Sequence, residues 1–178
     1  MSTEALQQDP YLHLPLDGLR LIEASAGTGK TFTLATLFTR LVVEQGLRLG
    51  QILAVTFTDA ATQELRKRIR ERLELAARVV DSTPDGGDSP ETTLTRAILQ
   101  RHLQQGSESA VQLGRRLRIA AEETDLASIF TIHGFCTRVL GEYALESGHT
   151  FAAPELLANT RELHAELAAD LWRLHAGQ

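Results

Sequence analysis

A second cysteine and long apolar runs are both missing from this sequence, and no secretory leader is expected. Cys136 is the only cysteine, so no internal disulfide can form, and a reducing, cytoplasmic setting is expected. The first residues, MSTEALQQDP, have neither the basic start nor the apolar centre of a signal peptide, and a loose arm is expected over 1–10. No apolar run approaches the ~18 residues needed to cross a bilayer, so no membrane partner is expected. No basic excess exists either. The net charge is -5, which argues against a globally basic nucleic-acid binder but permits a local basic stripe.

What remains is an ordinary globular composition, 43% hydrophobic and 23% charged over 178 residues. That length suits one good-sized domain, which buries about 70% of its unfolded surface. LRLIE (19–23) reads as a short strand. From Lys30 the period becomes helical, with Leu34, Leu37, Phe38, Leu41 and Val42 on one face, until EQGLRLG ends the helix. QILAVTFT (51–58) is a second strand, and Thr58-Asp59 offers a helix cap. The helix that follows carries Ala61, Leu65, Ile69, Leu73, Ala76 and Ala77 on one stripe. Its Arg66, Lys67, Arg68, Arg70 and Arg72 read as a solvated face.

The run DSTPDGGDSP (81–90) is a loop on composition. Helices are expected over 91–104 and 108–124, making 81–125 a helical insertion. SIFTI (128–132) is the third strand candidate, followed by a helix over 133–148. The last helix, 153–175, has Leu163, Leu167, Leu171 and Leu174 as its stripe, with Trp172 packed beside them. Alternating strands and helices predict an α/β fold with a parallel sheet and right-handed crossovers. Three strands make a narrow sheet, so either strands escape this reading or part of the sheet lies outside the chain.

ASAGTGKT (24–31) sits between the first strand and the first helix. The phosphate loop consensus is G-x-x-x-x-G-K-[ST]; the last three positions match and Ala24 replaces the first glycine. Glycines let backbone N–H groups turn toward phosphate oxygens, and the helix start adds its positive end. The candidate nucleotide site is therefore Ala24, Ser25, Ala26, Gly27, Thr28, Gly29, Lys30 and Thr31. Lys30 is expected at the β- and γ-phosphates of ATP, and the Thr31 hydroxyl on Mg²⁺; these two are the candidate catalytic residues. The bland reading is a glycine-rich turn.

The form A-x-x-G-x-G-K-T resembles motif I of superfamily 1 DNA helicases. AVTFTDAATQELRKRI (54–69) resembles motif Ia of the UvrD/Rep group, and FTIHGFCTRVL (130–140) resembles the motif that follows it there. The wording LIEASAGTGKT and TIHGFC is similar to the beta-subunit family of exodeoxyribonuclease V. The likeness covers nearly the whole chain and is weakest at 81–125.

This resemblance implies a P-loop NTPase (RecA-like) parallel sheet with flanking helices, present as an incomplete domain. Residues 11–150 would be the N-terminal portion of the ATP-binding domain, and 151–178 a helix leading toward an accessory domain. It implies ATP and Mg as cofactors, single-stranded or duplex-end DNA as substrate, and gamma and alpha subunits as partners. An incomplete sheet also implies self-association through an unpaired edge. Thr56, Phe57, Thr58, Thr131, His133 and Phe135 become candidate DNA contacts, because ligands gather at the carboxyl ends of parallel strands. Phe57 has two readings, core packing or stacking on a base. His133 is a cap or core histidine, or a contact to DNA or another motif. Cys136 reads as a small buried apolar residue.

The sequence departs from the family in two respects. It contains no apolar strand ending in a D-E-x-x-D acid pair, which holds Mg²⁺ and orients the attacking water in this class. It also lacks a glutamine in an L-N-x-x-Q context upstream of the loop. Nucleotide binding without hydrolysis is expected of the chain by itself. Two other classes stay open at this stage: a small P-loop kinase, and a non-catalytic binding module on the same fold. The Thr-Phe-Thr end of the second strand does not suit a kinase acceptor site.

Overall fold

A computed structural model describes residues 9–23, 29–81, 89–106, 108–147 and 159–176. Two compact units are resolved, residues 1–136 and 137–178. In the first unit a short helix α1 (Pro10–His13) precedes α2 (Lys30–Glu44). Strand β1 (Leu53–Thr56) leads into the long helix α3 (Asp59–Asp81). Helices α4 (Pro90–Gln104) and α5 (Ala110–Glu122) follow, then β2 (Ser128–Thr131) and α6 (Ile132–Glu142).

The two strands pair in parallel, with Leu53 opposite Ser128 and Thr56 opposite Thr131. Helix α3 is the hub and packs against α2, α4, α5 and both strands. Its stripe is buried as its period predicts, with Leu65, Ile69, Leu73, Ala76 and Ala77 in the core, while Ala61 is exposed. Helix starts follow local chemistry. Ser89 and Ser109 cap α4 and α5 by accepting from Thr92 and Gln112 N–H, and Pro90 sits at the tolerant first position of α4.

Several expectations need correction. Leu19–Glu23 forms no strand among the described residues; Leu19 is 95% and Leu21 87% exposed. An apolar extended segment becomes a strand only when a neighbouring backbone takes its N–H and C=O groups, and among the described residues none does; the Leu19 carbonyl accepts only from the Arg20 side chain. The sheet accordingly has two described strands, not three.

The arginine face of α3 is not uniformly solvated. Arg72 is 1% exposed, and the half-buried Arg66 donates to the Ile129 carbonyl at 3.1 Å, tying α3 to β2. An arginine can enter a core when its fork finds oxygens, which a periodicity count does not see.

Helix α2 hides a second surprise. Leu34 is 43% exposed, while Thr33, Thr36 and Thr39 are buried. Each threonine hydroxyl donates to the carbonyl four residues back, those of Gly29, Phe32 and Ala35. The polar atom is satisfied inside its own helix, so the methyl can face the core.

Arg40, also buried, forks onto Glu44 at 2.8 Å through both Nε and Nη2, and its Nη1 donates to the carbonyls of Tyr11 and Leu14. This contact fastens α1 to α2. At the other end, Arg116 of α5 donates to the carbonyls of Val42 and Val43, two of the acceptors that the last turn of α2 leaves without helical partners.

In the second unit, α6 runs on to Glu142, α7 spans Ala144–Ser147, and α8 spans Arg161–His175. Among its described residues only Ala144 is buried. The leucine stripe of α8 is 45–70% exposed and Trp172 is 74% exposed, so Trp172 does not pack as expected. One residue past Leu171, it points about 100° away from that leucine. No described helix is long and apolar enough to cross a membrane.

Candidate functional site

Of the loop 24–31, Gly29, Lys30 and Thr31 are described; Ala24, Ser25, Ala26, Gly27 and Thr28 lie outside the described residues. Gly29 caps α2 with φ 83°, a left-handed conformation that a Cβ resists. Space is not the constraint, because an added Cβ would come no closer than 3.8 Å to Phe32. The backbone angle is what asks for glycine. Lys30 and Thr31 then form the first positions of α2, exposed and half-buried respectively, where backbone N–H groups have no helical acceptor.

These residues open into a cavity of about 620 Å³. Its far side comes from α3, with Glu64, Arg68 and Glu71, and from the start of α4, with Glu91 and Thr92. A volume of this size falls within the ~300–1,000 Å³ usual for small-molecule sites.

Behind the cavity stands Arg72, which sequence reasoning left on the surface. Its guanidinium lies 4.7 Å from the Phe32 ring centre, donates to Thr36 Oγ1 and pairs with Glu91 at 2.5 Å. Burial pulls Arg72 below the ordinary arginine value, while the neighbouring Glu91 carboxylate works in the opposite direction. The signal that could have found it is arginine on the same stripe as Leu65, Ile69 and Ala76.

The DNA-facing candidates gather at one edge. The parallel register places Thr56 beside Thr131 at the carboxyl ends of β1 and β2. Thr56 Oγ1 lies 2.6 Å from Thr62 Oγ1, and Thr58 Oγ1 accepts from Ala61 N–H at 3.1 Å, which caps α3. Thr131 Oγ1 accepts from Gly134 N–H at 3.1 Å and caps α6 in the same manner. A Cβ on Gly134 would sit 3.1 Å from that hydroxyl, so glycine allows the close approach.

Two helix starts, each held by a threonine, therefore stand beside neighbouring strand ends. Their side chains divide by exposure. Phe57 is 87% exposed among the described residues, and His133 is exposed as well. Phe135 is half-buried, with its ring 6.4 Å from that of Phe130. Cys136 is exposed, contrary to expectation, because α6 buries none of its residues.

A helix that starts on left-handed Gly29 with Lys30 and Thr31, together with a parallel strand pair whose ends are threonine-capped, accords with the class of UvrD-like helicase domains. Residues 4–172 match the UvrD/REP helicase N-terminal domain, and the chain belongs to that family. Within it, the chain is similar to the N-terminal region of RecB. It is 42% identical to the RecBCD enzyme subunit RecB of Escherichia coli K12 over 98% of its own length and 14% of that protein's. The RecB subunit of Haemophilus influenzae Rd is 39% identical over 91% of the chain and 14% of that protein. The RecB subunit of Mycolicibacterium smegmatis is 37% identical over 88% and 13%. The chain thus spans about a seventh of the length of the curated relatives it matches.

Proposed function

We propose that this chain is the nucleotide-binding N-terminal part of an ATP-dependent DNA helicase and exonuclease subunit of the RecB kind, built on a RecA-like sheet. The observation that carries the reading is the hand-over from left-handed Gly29 to Lys30 and Thr31 at the mouth of the cavity. Ala24 to Thr31 wrap the phosphates of ATP, Lys30 reaches the terminal phosphates, and the Thr31 hydroxyl is a hard oxygen donor of the kind Mg²⁺ takes. Bound Mg²⁺ would neutralise charge on the phosphates. The remaining donors fit that task, since the first turn of α2 presents N–H groups and a lysine to an anion.

Thr56, Phe57, Thr58, Thr131, His133 and Phe135 form the DNA-facing edge. Hydroxyls and helix-start N–H groups hold phosphates without reading sequence, and an exposed aromatic stacks on any base. That chemistry suits an enzyme that steps along DNA irrespective of sequence. In the longer protein the work is unwinding and degrading DNA ends in cytoplasmic double-strand break repair and recombination, with gamma and alpha subunits as partners. Self-association through an open sheet edge belongs to the same reading.

The chain alone binds MgATP weakly and hydrolyses it near background, because it carries no D-E-x-x-D strand to orient water. Titration with a labelled ATP analogue, beside phosphate-release measurements, tests this. Binding lost in Lys30→Ala at unchanged thermal stability supports the assignment. DNA-stimulated turnover by the 178-residue chain would overturn its non-hydrolytic part.

A further inference from the structure

A cavity of about 640 Å³ lies between the Gly46–Leu49 segment and α5, separate from the nucleotide site. Arg48, Arg115 and Arg116 line it, with Leu47 and Ile119 as apolar wall and Glu123 at the same opening. Arg116 is already committed to Glu108 and to the carbonyls of α2. Arg48 and Arg115 differ. Both are exposed, and their guanidinium groups meet no carboxylate or carbonyl among the described residues.

Every other arginine described in the first unit has a partner. In a chain of net charge -5, the two uncommitted guanidinium groups of that unit thus share one apolar-walled hollow.

We propose that this cavity is a docking site for a peptide segment of a protein partner that presents a carboxylate next to an apolar side chain. The carboxylate takes the forks of Arg48 and Arg115, the pairing geometry that guanidinium groups favour. The apolar side chain enters between Leu47 and Ile119.

Nucleic acid is the weaker match on two counts. Two free cations suit one or two carboxylates better than a run of phosphates, and the site lies at the opposite end of the strands from the proposed DNA-facing edge. The Leu49–Gln51 turn feeds the amino end of β1, whereas Thr56 and Thr131 mark its carboxyl end.

The test is an NMR titration of the ¹⁵N-labelled chain with three probes: N-acetyl-Leu-Asp amide, which carries one carboxylate, the neutral N-acetyl-Leu-Asn amide, and a short oligothymidylate. Saturable shifts at the amides of Leu47, Arg48, Gln112 and Ile119 are expected with the acidic dipeptide. Its affinity should exceed that of the neutral probe about tenfold, the effect of one charge-assisted contact. The Arg48→Gln/Arg115→Gln variant should lose that preference while keeping its remaining spectrum, since both side chains are exposed. Equal response to the neutral probe, no saturable shift, or tighter binding of the oligonucleotide at the same amides would each overturn the proposal.

Discussion

Arg72 Nη2 donates to Thr36 Oγ1 at 2.7 Å, joining α3 to α2 directly behind the cavity at Lys30. The same hydroxyl donates to the Phe32 carbonyl, so one threonine links an arginine to the first turn of α2. Arg72→Ala removes the guanidinium from over Phe32 and leaves a gap in the core. A loss of about 2–4 kcal/mol in urea unfolding is expected. Arg72→Met keeps much of the volume and should cost less, about 1 kcal/mol. Equal stability of wild type and Arg72→Ala would mean that the contact contributes nothing.

Gly29→Ala isolates the backbone requirement at the loop. The added methyl has room, yet φ 83° is unfavourable for alanine. A destabilisation of about 1–2 kcal/mol is expected. Nucleotide affinity should fall as well, because relaxing φ re-aims the first N–H groups of α2. Isothermal titration with MgATP and thermal melts separate the two effects.

Arg40→Lys keeps the charge and removes the fork. The two bonds to Glu44 and those to Tyr11 and Leu14 cannot all be remade by one ammonium group. Amide exchange at Leu14, whose N–H donates to Pro10, should accelerate well before global unfolding. Unchanged protection of Leu14 would show that Arg40 does not fasten α1.

Glu108 supplies a pH signature. Burial pushes its carboxyl up, but hydrogen bonds from Arg116 and His102 and their charges outweigh this and leave it below the usual carboxylate range. A carboxyl depressed in the folded state contributes stability above its unfolded value and loses it as pH falls through the folded one. The urea midpoint should therefore drop as acid reaches below the ordinary carboxylate range. Glu108→Gln should be less stable at neutral pH and show a shallower acid decline. A parallel decline in both proteins would remove Glu108 from the cause.

Phe57→Ala probes the exposed aromatic at the end of β1. With 87% of its surface exposed, truncation should change stability by less than about 0.5 kcal/mol. Single-stranded DNA affinity, read by fluorescence anisotropy, should weaken by about 1–3 kcal/mol if one base stacks there. The reverse pattern, lower stability with unchanged DNA binding, would return Phe57 to a structural role.

Much of this architecture is legible from pattern alone. β1, β2 and the helices from α2 to α6 fall close to where period and caps place them, and Thr58 caps α3 as its position suggests. The misreadings share a cause. Leu19–Glu23 has strand composition, but pairing is a property of neighbours and cannot be counted within one segment. Thr33, Thr36 and Thr39 look polar in a list, yet each satisfies its hydroxyl one turn back and is buried. Arg40 and Arg72 are buried because oxygens from distant or adjacent turns meet their forks. The joining of Thr56 to Thr131 is likewise a matter of register between strands more than seventy positions apart.

The exposure of Cys136 gives the molecule a practical handle. It is the sole thiol of the chain and stands on α6, beyond His133 and away from the phosphate loop in sequence. A maleimide dye would attach at one place and leave every other side chain untouched. Its emission would then act as a local gauge of that strand-end edge, changing brightness or polarisation as an incoming polymer displaces water around the first turns of the helix.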